Sequence, residues 1–371
     1  MILGQRGKKE ELRIWMLRRM DKTPLVCVII SAALFGISPP LAKLLVGEIP
    51  PVVLAGLLYL GAFTGLTLYS IIDEKRRAGQ VEKAAPLERK DLPWLAGAVI
   101  TGGILGPVSL MTGLTLVSGF TASLLLNLEG VATAIIAVFL FKENAGKRVW
   151  LALAFMTLAG VLLAWDTGQG GFNIEGPLLV AFAMVCWGVD NNLTRNISDK
   201  DPIQIARIKG LAAGAISISL AFISGISITL DTSIVSALLL GAFSYGISLV
   251  LFIKALRGLG SSRAGAFFSI APFMGAITSL VLLREWLGWV MLPAATLMVI
   301  GVWLITSEKH SHTHLHKKTM HAHAHKHDDM HHMHMHSGKI HEPHAHKHTH
   351  HETTHTHTHW PDTHHRHEHP T

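Results

Sequence analysis

The chain has 371 residues, of which 49% are hydrophobic and 15% charged, and its formal net charge is +7. Typical soluble domains carry about 25% charged residues, so this composition and a mean hydropathy of +0.38 exclude an ordinary soluble protein. Two cysteines exclude a disulfide framework and a four-cysteine metal site. All 25 histidines lie between His310 and His369. The composition predicts an integral membrane protein with a histidine-rich tail.

A helix needs about 20 mostly apolar residues to cross ~30 Å of hydrocarbon. Stretches of this kind predict an all-α protein with about ten transmembrane helices, over 24–46, 50–72, 92–114, 119–141, 147–166, 174–194, 203–225, 233–256, 263–283 and 287–306. No cleavable signal peptide is predicted, because a basic segment precedes the first span and no small-residue cleavage site ends it.

Lysine and arginine are distributed unequally between the two sets of short loops. Segment 1–23 and the loops 73–91, 142–148 and 195–200 are basic, whereas the alternate loops contain only Arg284. Because cytoplasmic loops carry the excess of Lys and Arg, we expect a multi-pass protein of the cytoplasmic membrane with both termini in the cytoplasm. The segment before the first span is either an amphipathic helix on the inner leaflet or a solvated flank.

The chain contains an internal repeat. A shift of 142 residues aligns Lys142-Glu143 with Arg284-Glu285, and a shift of 152 residues aligns Lys43 with Arg195. Each repeat holds five spans, and since five is odd the two halves enter the membrane from opposite sides. Inverted repeats are typical of alternating-access transporters. The predicted organisation is a basic cytoplasmic N-terminal segment 1–23, repeats 24–166 and 174–306, and a disordered cytoplasmic tail 307–371.

The repeated residues also resemble a known family. Phe35-Gly36 with Lys43 and Pro50 after it, and Cys186-Trp187-Gly188 with Arg195 and Pro202 after it, look like the opening of an EamA repeat. The resemblance covers roughly 24–306 and points to the drug/metabolite transporter superfamily. It implies ten helices, a central cavity and carrier-type movement of small organic solutes, often outward, rather than enzymatic activity. One departure is that Glu129-Gly130 stands where the second repeat has the usual pair Ala271-Pro272.

Polar residues inside apolar spans are candidate functional residues, because an ionisable group in hydrocarbon is costly. Glu129 lies near mid-depth in the fourth span, with Asn127 close by. Burial disfavours a charged carboxylate, which makes Glu129 a candidate proton carrier or cation contact. The alternative is a carboxyl that pairs with a neighbouring helix for structural reasons.

Two spans carry unusual residues at matching repeat positions. Pro39-Pro40 removes two backbone donors in the first span, and Asp190-Asn191-Asn192 occupies the equivalent place in the sixth. Matching interruptions in both halves predict a transporter site. The alternatives are a simple kink at the prolines, and an ion pair of Asp190 with Arg195 or Arg207.

Lys43 and Arg195 occupy inverted positions at opposite ends of their spans. Each could close its own end of the protein by pairing with a carboxylate, or could simply snorkel to the interface. Lys209, inside the seventh span, could offer charge to an anion or snorkel in the same way.

The tail contains too few apolar residues to offset the entropy of folding. Its histidines recur at every second position, which in an extended chain puts successive imidazoles on one side and is typical of metal binding. Imidazole suits nickel, cobalt, zinc and copper ions. A pH-sensitive tether to anionic lipid is the competing role. The candidate tail ligands are His310, His312, His314, His316, His321, His323, His325, His327, His344, His346, His348, His350, His355, His357 and His359.

The residues favour a secondary transporter that exports small organic metabolites by alternating access and carries a metal-binding regulatory tail. One alternative is a divalent-metal carrier for nickel, cobalt or zinc whose tail captures the ion, although the membrane core contains no histidine. A second is a non-transporting membrane sensor of metal. We expect no required cofactor and no nucleic acid partner. The expected partners are the lipid bilayer, a small-molecule solute, a coupling proton or cation, and a second copy in a homodimer.

Overall fold

The computed structural model describes residues 23–76, 87–141, 146–165, 174–197, 200–228, 231–259, 261–285, 288–307, 311–316, 319–325, 344–350 and 353–358. Within these ranges ten helical passes follow one another, five in each repeat, as the sequence predicts.

The first repeat contains eight α-helices, several of which share one pass. They are α1 (Thr23–Gly36), α2 (Ser38–Leu45), α3 (Pro51–Arg76), α4 (Leu92–Ala98), α5 (Gly106–Leu116), α6 (Gly119–Leu125), α7 (Leu128–Phe141) and α8 (Lys147–Trp165). A 3-10 turn, Arg89–Asp91, precedes α4, and a π-helical segment, Val99–Leu105, joins α4 to α5.

The second repeat contains seven α-helices. They are α9 (Glu175–Thr194), α10 (Pro202–Ile223), α11 (Thr232–Gly241), α12 (Ser248–Leu259), α13 (Ser261–Phe268), α14 (Ala271–Leu282) and α15 (Met291–Thr306). A 3-10 turn, Arg195–Ile197, follows α9, and a π-helical segment, Ala242–Ile247, joins α11 to α12.

Eight of the passes are long and apolar enough, by length and composition, to cross a membrane: Thr23–Leu45, Pro51–Asp73, Arg89–Leu116, Gly119–Ile136, Lys147–Ala164, Pro202–Ile223, Thr232–Leu256 and Ala264–Leu282. Met291–Leu304 is apolar but shorter. The remaining pass, α9, has 20 residues, and the polar run Asp190-Asn191-Asn192 in its last two turns lowers its hydropathy.

Irregularities in the helices recur at equivalent places in the two repeats. The π-helical segments interrupt the third pass of each repeat. The fourth passes break between α6 and α7 and between α13 and α14. At the first break Asn127 Nδ2 donates to the carbonyl of Leu124 at 3.0 Å, and at the second Ser269 Oγ donates to the carbonyl of Ala266 at 2.7 Å. In both cases the side chain donates to the backbone carbonyl three positions earlier. The two repeats therefore share the break and also the hydrogen bond that stabilises it.

The predicted interruption of the first span is present, but the predicted interruption of the sixth is wrong. Pro39 and Pro40 start α2 after the break at Ile37, and the Ser38 hydroxyl donates to the freed Phe35 carbonyl at 2.7 Å. By contrast α9 runs without a break through Asp190-Asn191-Asn192. The physical reason is that asparagine and aspartate keep their backbone N–H groups, whereas proline has none.

Small residues bring the two repeats into contact. A Cβ added to Gly61 of α3 would meet the backbone of Leu238 in α11, and a Cβ added to Gly241 would meet the backbone of Leu58. Glycine therefore lets these two helices touch backbone to backbone, as is common where helices pack in hydrocarbon. Between α1 and α12, the hydroxyl of Ser31 donates to the backbone carbonyl of Ser248 at 2.7 Å, and the hydroxyl of Ser248 donates to the backbone carbonyl of Ser31 at 3.0 Å.

The described parts of the tail form four strands: β1 (Ser311–His316), β2 (Thr319–His325), β3 (His344–His350) and β4 (Thr353–Thr358). β1 pairs with β4 and β2 with β3, both antiparallel. Isolated two-stranded pairs are marginally stable in water, so disorder of the free tail stays a prediction.

Candidate transport site

The candidate site lies where α7 of the first repeat crosses α9 of the second. Gly188 lets the helices approach, since a Cβ there would lie 2.9 Å from the Cβ of Ala132 and from the backbone N of Thr133. Next to this crossing, Asn191 Nδ2 donates to Glu129 Oε1 at 2.8 Å and to Thr133 Oγ1 at 3.3 Å. The crossing therefore joins Glu129 and Asn191, which the sequence analysis selected separately.

Asp190 forms an ion pair with Lys209 of α10, not with the predicted partners Arg195 or Arg207. Lys209 Nζ donates to Asp190 Oδ2, and Thr194 Oγ1 donates to Asp190 Oδ1 at 3.1 Å. Arg207 instead donates from Nε to Thr67 Oγ1 at 3.2 Å. The prediction failed because the sequence does not show which face of α10 is turned toward α9, and therefore which nearby cation reaches Asp190.

Gly102 of the first π-helical segment leaves space for the Asp190 carboxylate. A Cβ on Gly102 would collide with the Asp190 side chain. The carbonyl of Gly102 accepts hydrogen bonds from the Tyr59 hydroxyl at 2.5 Å and from Trp187 Nε1 at 3.0 Å. In a π-helix carbonyls are less regularly paired than in an α-helix, and π-helical segments are frequent at functional sites.

Aromatic rings from both repeats lie next to the charged residues. Phe35 contacts Trp187, Tyr245 and Phe268 with ring centroids 6.5, 5.8 and 5.5 Å apart, and Tyr59 lies 6.0 Å from Tyr245. Glu129 is close enough to Tyr59 and to Tyr245 to act on both hydroxyls electrostatically. These five rings are called the aromatic cluster below.

The two carboxylates of the site differ in whether a positive charge lies beside them. Asp190 has Lys209, whereas in the described part of the chain the only side-chain hydrogen bond to Glu129 comes from neutral Asn191, and no cation lies within ion-pair distance. Lys209 and Asp190 still act on Glu129 at longer range. With all three groups ionised, the site has one net negative charge.

Two glycines face open space: Gly130, next to Glu129 in α7, and Gly265 in α13. A Cβ on Gly130 or on Gly265 would meet nothing within 4 Å. Glu129 is half-buried and Asn191 is exposed. We call the end of the protein where α9 finishes and Arg195 lies the Arg195 end, and the opposite end the Lys43 end.

At the Lys43 end the helices are held together. Lys43 Nζ donates to the carbonyls of Leu114 at 2.5 Å and Val117 at 2.8 Å, at the C-terminus of α5. The carboxylate of Glu285 accepts from the backbone N–H groups of Gly119 at 2.6 Å and Phe120 at 2.8 Å, at the N-terminus of α6. A cation at a helix C-terminus and an anion at a helix N-terminus are both favourable. We call these contacts the clasp.

The residue before Glu285 has an uncommon backbone conformation. Arg284 has φ of 51°, in the left-handed region that few non-glycine residues adopt. This conformation turns the chain after α14 and lets Glu285 reach back to α6. The sequence left two roles open for Lys43, a carboxylate partner or snorkelling to the interface. Its ammonium group donates to two backbone carbonyls, with Glu285 within electrostatic range.

A buried lysine links two loops at the Arg195 end. Lys200 Nζ lies 3.4 Å from Glu88 Oε1 and 3.5 Å from Asp91 Oδ2. Hydrogen bonds from Lys90 and Lys200 hold the pKa of Glu88 below its usual value. This ion cluster attaches the start of the third pass to the end of the sixth.

Comparison with known proteins assigns the chain to a family. The EamA-like transporter family matches residues 22–165 and again 174–307. The chain belongs to the EamA-like transporter family. This family is part of the drug/metabolite transporter superfamily, so the protein is a multi-pass membrane protein of two repeats, with the lipid bilayer and a small solute as its partners.

Two individual proteins are similar to this EamA chain. An uncharacterized transporter of Methanothermobacter thermautotrophicus is 27% identical over 293 residues, which cover 76% of this chain and 85% of that protein. A protein known from a crystal structure is 18% identical with a TM-score of 0.54, covering 77% of this chain and 96% of the other. At that identity the second similarity concerns the fold alone.

Among the other predicted site residues of the EamA chain, Asn192 takes part in the crossing itself. Asn192 is buried and donates to the carbonyls of Gly188 at 2.8 Å and Thr133 at 3.4 Å. Asn127 is buried, and its described hydrogen bond stabilises the break in the fourth pass. The remaining candidates are Pro39 and Pro40, buried in α2, and Arg195, half-buried after α9.

The tail metal prediction depends on imidazole side chains that the structure does not describe. His310, His327 and His359 lie outside the described residues altogether, and the remaining candidates are described by their backbone alone. Among the side chains that the structure describes, no group of three His, Cys, Asp or Glu residues could hold a metal ion.

Sequence reasoning missed three contributors to the site: Thr133, Gly102 and the aromatic cluster. It named Lys209 as a charge that an anion could contact, but not as the partner of Asp190. Lys209 carried a signal, since a lysine inside a span is costly unless it has a partner. Gly102 lies in a glycine-rich third span that is equally typical of plain helix packing. The aromatic cluster combines residues from five passes, and no spacing in the sequence identifies it.

Proposed function

We propose that this EamA protein is a secondary transporter that moves small organic metabolites across the cytoplasmic membrane by alternating access and exports them. The observation that supports this proposal is an asymmetry between equivalent contacts of the two repeats. In an inverted-repeat transporter one end is closed while the equivalent end is open, and the two exchange during transport.

The fourth passes of the repeats provide the comparison. At the Lys43 end α6 packs against α14, and the Ser123 hydroxyl lies 2.8 Å from the place of a Cβ on Gly275. The repeat equivalents of Ser123 and Gly275 are Gly265 and Thr133. At the Arg195 end α7 and α13 make no comparable contact within the described residues, and Gly265 has open space beside it.

Equivalent side chains of the two fourth passes are also buried to different extents, less at the Arg195 end than at the Lys43 end. Phe267 of α13 is 38% exposed, whereas its equivalent in α6, Leu125, is 1% exposed. We infer that this conformation is closed at the Lys43 end and open at the Arg195 end. In the opposite conformation Arg195 would donate to the carbonyls of Leu256 and Leu259, the equivalents of Leu114 and Val117.

The orientation follows from the basic loops. With both termini in the cytoplasm, the Arg195 end faces the cytoplasm and the Lys43 end faces outward. Glu129 and the open space beside Gly130 and Gly265 are then accessible from the cytoplasm, which suits the loading of a solute made inside the cell. A solute bound there would leave outward once the clasp opened.

A reversible lock at the Lys43 end tests this function. A Cβ on Gly119 would lie 2.7 Å from Ser279 Oγ, close enough for a disulfide in the double variant Gly119→Cys/Ser279→Cys. In vesicles, uptake of a solute panel should stop on oxidation and return on reduction. The matched control is Met156→Cys/Gly301→Cys, which links the neighbouring helices α8 and α15 away from the clasp. Transport that continues through the locked variant would contradict alternating access.

Glu129 is the proposed coupling residue. Its carboxylate is the one charge of the site without an oppositely charged partner among the described residues, so it can bind a proton or a cation. Glu129→Gln, nearly isosteric, should abolish or strongly slow transport and remove its pH dependence, because an amide does not titrate. Wild-type transport by this variant would assign Glu129 a packing role.

The tail is proposed to bind nickel, zinc, cobalt or copper and to regulate transport. Its alternating histidines support metal binding, and no such residue occurs in the membrane part. The metal-carrier alternative remains the second candidate, because Glu129 and Asp190 offer oxygen ligands. Metal tolerance of cells separates the two: a metal phenotype from Glu129→Gln with the tail intact would favour the metal carrier.

A further inference from the structure

We infer that the transported solute is an organic monocation, an amine with one positive charge and an apolar or aromatic body. The inference rests on the proposed function, since it assigns the solute class to the same site. Three features carry it: the net charge of the site, the free oxygen of Glu129 and the aromatic cluster.

The charge balance of the site calls for one positive charge. Lys209 compensates Asp190, and Glu129 is left with a neutral amide donor. An uncompensated carboxylate inside a span is costly, and a bound monocation removes that cost. An anionic solute would add a second negative charge, and a neutral solute would leave the carboxylate without a counter-charge.

The hydrogen-bonding pattern favours an N–H donor over a bare metal ion. Asn191 directs its Nδ2 group, not its oxygen, toward Glu129 Oε1. Glu129 Oε2 has no hydrogen bond among the described residues, and the next residue, Gly130, has open space where a side chain would stand. An ammonium group supplies the missing donors. A metal ion would need several oxygen ligands, and Lys209 close by would repel a divalent ion about twice as strongly as a monocation.

The aromatic cluster suits the rest of the solute. Phe35, Tyr245 and Phe268 are half-buried, so part of their surface is available to a bound molecule. Ring faces bind both cations and apolar bodies. The cluster combines rings of both repeats, and a solute bound against it would contact both halves of the protein.

The solute and a proton should compete for the protein, because both would bind to the same carboxylate, that of Glu129. The groups that face Glu129 from the neighbouring elements are Asp190 of α9, Lys209 of α10, Tyr59 of α3 and Tyr245 of the second π-helical segment. Asp190 and Lys209 compensate each other, so Glu129 is the group that binds either ligand. Below the pH at which Glu129 binds its proton, the amine affinity should fall tenfold for each pH unit.

Three probes of similar shape test the charge of the solute. They are 2-phenylethylammonium, neutral 2-phenylethanol and anionic 3-phenylpropanoate, and binding to the full-length protein is measured by calorimetry at several pH values. We expect the ammonium probe to bind at least tenfold more tightly than the alcohol and the carboxylate. Glu129→Gln should remove that preference, while Glu48→Gln, an exposed acid outside the site, should keep it. A melting curve checks that each variant is folded.

Two results would overturn the inference: equal or tighter binding of the neutral or anionic probe, or an unchanged ammonium affinity in folded Glu129→Gln. A manganese or nickel ion that binds at Glu129 in a tail-deleted protein and excludes the ammonium probe would also overturn it. The Gly119–Ser279 lock distinguishes this failure from failure of the proposed function. If the lock stops the uptake of any solute in the panel, the proposal of alternating-access transport is supported, whatever the charge of that solute.

Discussion

Replacing Lys43 by methionine should open the Lys43 end of the protein. The variant keeps the length of the side chain but removes the ammonium group that donates to Leu114 at 2.5 Å and Val117 at 2.8 Å. A hydrogen bond to a charged group contributes about 1.5–3 kcal/mol. Because both bonds share one ammonium group, we take about 2–3 kcal/mol for the pair, which changes the closed-to-open equilibrium roughly 30- to 150-fold.

A cysteine at position 279 measures this change. Ser279 is fully buried next to Gly119, and the native cysteines Cys27 and Cys186, both buried, are replaced in the background. Labelling of Ser279→Cys by a membrane-impermeant maleimide from outside should accelerate by the same factor in Lys43→Met, up to the rate of the fully open end. Lys43→Arg, which retains charge and donors, should label near the parent rate. An unchanged rate in folded Lys43→Met would refute the role of the clasp.

Three further predictions concern the site and the tail. Gly102→Ala should reduce transport at least tenfold, because the added methyl group displaces Asp190 at a cost of about 1–3 kcal/mol, whereas Gly130→Ala, with open space around it, should transport normally in the same vesicle assay. The pH dependence of transport, measured over several pH values, should disappear in Glu129→Gln and reappear in Glu129→Asp. Deletion of 310–371 should abolish most nickel or zinc binding measured by calorimetry, since no histidine remains, and should leave maximal solute transport unchanged.

Much of the fold could be predicted because its signals are local. The hydropathy of each span, the odd number of spans in each repeat and the charged pairs Lys142-Glu143 and Arg284-Glu285 need no knowledge of three-dimensional contacts. The site was predicted in part for the same reason. Glu129 and Asp190 stand out because ionisable residues in hydrocarbon are costly.

Features that depend on the relative rotation of helices could not be predicted. Lys209 rather than Arg195 or Arg207 pairs with Asp190, and that choice is made by the packing of α10 on α9. Polarity in Asp190-Asn191-Asn192 was interpreted as a helix break, although those residues keep their backbone donors.

The open and closed ends also escaped prediction, because equivalent residues of the repeats have different surroundings. Ser123 is fully buried whereas its equivalent, Gly265, is exposed. A sequence repeat indicates that two halves share a structure, but it does not indicate which half is closed.

The central claim is that the two ends of the protein open alternately, and labelling both ends in the same background tests it most directly. Gly265→Cys reports from the Arg195 end, where its side chain would meet open space, and Ser279→Cys reports from the Lys43 end. We predict that Lys43→Met raises the labelling rate of Ser279→Cys from outside and lowers that of Gly265→Cys from the cytoplasmic side. Labelling rates that rise together, or a Gly265→Cys rate that does not respond, would contradict the claim.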